Sequence, residues 1–175
     1  MLFEPVWIST SQHLDRFYQL YASTPMPEKA LGIYNLPEGF PHVHMYWGLL
    51  PLFRVPVVMV AAGAFRVESD GIQFEAKPFR IFGSRLRNLQ TDLHIHLRSD
   101  ELTSIERYAA PSPVISYYNL PFTCVHSTQA GLASNFLVCA GGAGPAMGKI
   151  RATSEAIFAA LQELAPKPPS GQRPT

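Results

Sequence analysis

Hydrophobic and polar positions along the chain follow three successive patterns. Residues 5–8, PVWI, predict a short strand. After Thr10 or Ser11, either of which can cap a helix, Leu14, Phe17, Tyr18 and Tyr21 recur at i, i+3, i+4 and i+7. From residue 57 the period falls to two, which predicts antiparallel strands with one face on a core and the other in solvent. The last pattern returns to a helical period. Met147, Ile150, Ser154, Ile157, Leu161 and Leu164 make one stripe with Phe158 beside it. This predicts a helix over 146–164, with Pro145 suited to its first position and Pro166 ending it.

The clearest local signal in the period-two region is AFRVESDGIQFEAK. Asp70-Gly71 suits the two central positions of a type I′ turn, which needs φ > 0 at both. That turn sets Val67 opposite Phe74 and Phe65 opposite Ala76 on one face, with Arg66 opposite Glu75 on the other. Further strands are expected at about 79–82, 92–98, 103–109, 113–118, 121–127 and 133–140, with STQAG turning between the last two. The Pro- and Gly-rich STPMPEKALGIYNLPEGFP reads as a long connection. The fold class expected is mainly β with α: an antiparallel barrel or sandwich of about seven strands, capped by a C-terminal helix and preceded by a strand-helix extension. The organisation read from the chain is an N-terminal extension over 1–56, the barrel with its helix over 57–164 and a disordered tail over 165–175.

Composition narrows the function classes. A chain of 175 residues suits one domain, and 47% apolar against 15% charged residues implies a packed core. The net charge of +1 gives no overall field that would draw nucleic acid. Two cysteines without a C-x-x-C spacing point to free thiols in a cytoplasmic protein, and the N-terminus lacks the basic and apolar regions of a secretory signal. Residues 47–64, WGLLPLFRVPVVMVAAGA, are nearly uncharged. Pro51 and Pro56 interrupt any helix there, however, and Arg54 would cost ~3 kcal/mol in a bilayer. The stretch reads as a buried strand entered by a proline-bent segment.

Three clusters could carry chemistry. In a strand, His94 and His96 project together with Asp92 and Arg98, and His42 and His44 project together with Tyr46. Two such pairs could complete a tetrahedral metal set. His94, His96 and Glu101 also match the H-x-H-x(4)-E core of the cupin signature, and that resemblance implies a metal-binding barrel or a metal-dependent enzyme. The plainer reading is a solvated sheet face, since Leu93, Ile95 and Leu97 alternate with the polar residues. The second cluster, CAGGAGPAMGKI, lacks two elements of a phosphate loop: Ala143 stands at the first glycine and Ile150 at the hydroxyl. The third, KPFRIFGSRLRN, holds Lys77, Arg80, Arg85 and Arg87 with no acid among them, and forked guanidiniums suit phosphates. Phe79 or Phe82 could add an apolar tip. Cys124 and His126 share a strand face, but no acid in the sequence pattern orients them.

The element order and the opening hairpin GAFRVESDGIQFEA resemble the pleckstrin-homology superfold, GRAM-like domains included, over residues 57 to 164, with Phe158 in the place of that fold's helix tryptophan. Lys77, Arg85 and Arg87 fit the loose K-x(n)-[KR]-x-R spacing of its phosphoinositide binders. The resemblance implies a binding module for an anionic lipid headgroup or a protein partner. It implies no cofactor and no catalysis, and a cytoplasmic place at most peripheral to a membrane. The metal-binding reading through His42, His44, His94 and His96 stands as the alternative.

Overall fold

The structure, a computed structural model, describes residues 1–47, 50–81, 84–108, 120–142 and 147–165, and their side chains except at 45–47, 50–52 and 147. The chain runs β1 (Leu2–Ser9), α1 (Ser11–Ser23), α2 (Met26–Ala30), β2 (His42–Trp47), β3 (Leu50–Pro56), β4 (Ala61–Val67) and β5 (Gly71–Ala76). It continues through β6 (Arg80–Ile81), β7 (Ser84–Arg87), β8 (His94–Arg98), β9 (Leu102–Arg107), β10 (Thr123–Ser127), β11 (Asn135–Ala140) and α3 (Met147–Leu164). Seven strands form one sheet in the order β8-β5-β4-β1-β11-β10-β9, every pairing antiparallel. Six such reversals separate the edges, so β8 and β9 run the same way. The 3-10 turn Ser99–Glu101 carries the chain from one edge to the other without reversing it. The sheet thereby rolls into a nearly closed antiparallel barrel with α3 beside it. Thr128 N–H donates to Glu101 O at 2.9 Å across this corner.

The sequence pattern sets β1 in an N-terminal extension. In the structure it runs through the middle of the large sheet, between β4 and β11. Both alternating sets of its side chains are buried, Val6 and Ile8 on one face and Trp7 and Ser9 on the other. A strand covered on both faces reads as an unbroken apolar run, as PVWI does. Thr10 caps α1 as expected, its Oγ1 accepting from His13 N–H at 3.0 Å, and α1 buries Leu14 and Phe17. Ser9 Oγ donates to Val58 O at 2.6 Å, and His13 Nε2 bonds Val57 O at 2.8 Å, which fixes the turn before β4. The α3 stripe is buried at Ile150, Ser154, Ile157 and Leu161. Ser154 Oγ accepts the Ala140 N–H at 3.0 Å, which seats the helix against β11.

The β4–β5 hairpin forms, but two residues out of the expected register. Val67 pairs Ile72, Phe65 pairs Phe74 and Arg66 pairs Gln73. Glu68 N–H donates to Gly71 O, so Ser69 and Asp70 are the turn residues, and Gly71 is not among the residues at positive φ. A slip of two keeps every side chain on its own face, so the apolar and charged sets still separate. Gly71 is required for another reason. A Cβ there would lie 2.1 Å from Leu97 O on β8, so the glycine lets two backbones approach. The expected strand at 113–118, Pro145 and the tail beyond 165 lie outside the described residues.

The remaining strands build a smaller sheet in the order β3-β2-β7-β6. Partners across it place Val43, Val55, Leu86 and Ile81 on one face, packed on the core. The proline-interrupted stretch of the sequence contributes β3 here and the start of β4. No helix among the described residues is long and apolar enough to cross a membrane.

Candidate anion-binding face

The other face of the small sheet collects basic side chains. Directly paired residues of antiparallel strands share a face. His44 pairs Arg54, His42 pairs Arg87, and Arg85 pairs Arg80. Because i and i+2 also share a face, Arg54, His44, His42, Arg87, Arg85 and Arg80 project together. The four arginines are exposed, and among the described residues none of them makes an ion pair. Like charges set directly opposite cost a few tenths of a kcal/mol up to about 1 each, so Arg80 facing Arg85 weakens the bare fold.

The site is framed by Phe40, whose ring is buried against His13 at 4.9 Å between centroids. Its carbonyl accepts from His42 Nδ1 at 2.7 Å and from Asn88 Nδ2 at 3.2 Å, tying β2 to the end of β7. Asn88 follows Arg87 with φ of 61°, a left-handed turn that asparagine tolerates better than most residues, and it ends the strand there. His42 and His44 meet through their Nε2 atoms at 2.8 Å. The His44 pKa is lowered by burial first, then by His42, Arg54 and Arg87.

Of the residues that the sequence singles out, Arg80, Arg85 and Arg87 come together here. Lys77 does not join them. Its N–H donates to Ala62 O on β4, and its ammonium lies 3.2 Å from Glu4. Phe79, expected as an apolar tip, packs edge-on against Trp7 at 6.3 Å between centroids, and Phe82 lies outside the described residues. Sequence reasoning missed Arg54 as a member of this set. Its parity with His44 becomes visible only once β2 and β3 are paired.

The two H-x-H pairs occupy different sheets. His94, His96 and Arg98 are exposed on the edge strand β8 while Ile95 and Leu97 are buried, the alternation that the sequence predicts. Glu101 turns away into the 3-10 turn, where it accepts from Arg98 N–H at 2.7 Å and from Gln129 at 3.0 Å. Among the described residues no three His, Cys, Asp or Glu side chains gather as a metal ion requires.

Cys124 and His126 do meet, with Sγ and Nε2 3.1 Å apart, and Asn135 Oδ1 lies 3.3 Å from the same sulfur. Burial first, then the Glu106 carboxylate, push the thiol above its ordinary pKa. The thiol therefore stays protonated at neutral pH, opposite to the activation that a cysteine nucleophile needs.

Comparison with family models, with curated proteins and with solved structures gives no match.

Proposed function

We propose that the protein is a non-catalytic binding module that receives an anionic partner, a phosphate-bearing membrane surface first of all, on the outer face of the small sheet. The observation that carries this reading is the set Arg54, Arg80, Arg85 and Arg87, gathered from three strands onto one face with no ion pair among the described residues. In a nearly neutral chain, four guanidiniums gathered without an ion pair among the described residues make a local positive field that suits an anionic partner. Guanidinium forks match phosphate oxygens in pairs, which suits headgroups better than isolated carboxylates. The resemblance to phosphoinositide-binding barrels points the same way. Each basic residue near an anionic surface contributes about 1 kcal/mol, so four give roughly 4 kcal/mol, or millimolar affinity for one isolated site. Binding of this kind is salt-sensitive.

Cosedimentation with vesicles containing phosphatidylserine or a phosphoinositide tests the reading. Wild type should pellet at low salt and remain in the supernatant at high salt. An Arg85→Glu, Arg87→Glu variant should remain in the supernatant at both. If wild type stays soluble with every lipid at low salt, the membrane-surface reading is wrong.

A further inference from the structure

We propose that His42, His44, Arg54 and Arg87 form a pocket for a single oxyanion, a phosphate or sulfate ester group, which is taken up together with one proton. The inference rests on the reading of this face as the anionic-partner site, and it names what the site grips and how.

The hydrogen bonds fix where protons sit. A carbonyl can only accept, so His42 Nδ1, 2.7 Å from Phe40 O, carries a hydrogen. In a neutral ring Nε2 is then a bare acceptor. The 2.8 Å contact between the two Nε2 atoms therefore makes His44 Nε2 the donor. His44 Nδ1 is left with a bare lone pair, which repels an anion. One added proton has a single vacancy in this relay, His44 Nδ1. The new N–H therefore appears at His44 Nδ1.

The surroundings set the coupling. Among the described residues, the charged and titratable groups that act on His44 are His42 on its own strand, Arg54 on β3 and Arg87 on β7, with no carboxylate among them. With the face bare, both guanidiniums oppose the imidazolium. An oxyanion between Arg54 and Arg87 offsets them and accepts the new Nδ1–H. The anion thus favours the proton, and by linkage the proton favours the anion to the same degree. Affinity should rise as pH falls through the range in which free His44 is neutral and bound His44 is charged. The gain is at most about tenfold per pH unit for one proton.

A sulfate probe isolates this effect, because its charge is constant where a phosphate monoester, with a second pKa of about 6, would itself titrate. Inorganic sulfate and phosphatidylcholine vesicles carrying sulfatide are titrated separately from about pH 8 to 5.5. Nitrogen-15 NMR follows the histidine rings with and without sulfate. Wild type should bind more tightly as pH falls, and the His44 titration should move up when sulfate is present. His44→Gln should bind weakly with no pH slope. His44→Lys should bind without a slope and more tightly than wild type at pH 8. Binding of free sulfate without vesicle binding identifies a soluble ligand and leaves the pocket standing. A flat profile in wild type, or a slope that persists in His44→Gln, overturns the proton coupling while the basic face survives. Absence of binding to either probe at every pH overturns both.

Discussion

On the large sheet, three exposed cations have a carboxylate partner, while Arg66 on β4 has no ion pair among the described residues. Lys77 meets Glu4, Arg98 meets Asp100, and Arg107 lies on Glu155 of α3 and over the Phe158 ring at 4.1 Å. On the small sheet, Arg80 faces Arg85, and Arg54 and Arg87 flank two histidines. The large sheet also owns most of the deep core, with Val6, Ile8, Phe65, Ile72 and Phe136 fully buried. The large sheet sets three cations beside carboxylates, and the small sheet gathers four arginines on one face with no carboxylate partner among the described residues. Substitutions on the two sheets should therefore differ in what they change.

The largest effect belongs to the core between barrel and helix. Ile157 is fully buried, and Ile157→Asp places a charge in the apolar core. The loss should be at least about 3 kcal/mol, read as a lowered urea midpoint. An unchanged midpoint would refute the packing of α3 on the sheet. Gly71→Val comes next, at about 1–3 kcal/mol, because its side chain would run into the Leu97 carbonyl and force β5 and β8 apart. Melting at the wild-type temperature would contradict the close approach of those strands.

Acid should then weaken the fold in a way that two histidines explain. The pKa of His13 is lowered by burial first, against the hydrogen bond to Val57, and that of His44 by burial and its cationic neighbours. Both hold fewer protons folded than unfolded. Their contribution is present in full above the ordinary value of 6.5 and is lost as pH falls through the folded values. His13→Gln should flatten the fall in urea midpoint between pH 7.5 and 5.5, and an unchanged slope would place the acid sensitivity elsewhere. The smallest effect on stability is expected at the basic face. Arg85→Glu with Arg87→Glu should stay within about 0.5 kcal/mol of wild type while abolishing vesicle binding. A large loss of stability there would assign those arginines to the structure and not to a ligand.

The barrel was legible in the sequence because alternation is a local property. Ile95 and Leu97 announce their faces without reference to any partner strand, and so do Phe65 and Val67. Register was less legible. Asp70-Gly71 is a strong local turn signal, yet Gly71 is set by its contact with Leu97, a residue that no local pattern ties to it. The same limit shaped the site. Arg85 and Arg87 were visible as one extended face, and the short β6–β7 pairing adds Arg80. Arg54 and the His42–His44 pair reach them only through β2, which pairs with a strand more than forty residues later in the chain. Lys77 lies close to these arginines in sequence, but its partner Glu4 comes from β1.

The position of β1 bears on how a ribosome must deliver this chain. The strand is made before both of its neighbours, and Phe3 must wait for Phe65, and Val6 for Ala140, before its two edges are paired. Until β11 has been made the nascent chain therefore carries an apolar strand with at least one open edge, a template for mispairing between neighbouring chains. Pairing across such separations is slow to nucleate, so the barrel closes only after nearly all of the described chain has emerged. Of the seven strands in the large sheet, the first in chain order is among the last to be enclosed.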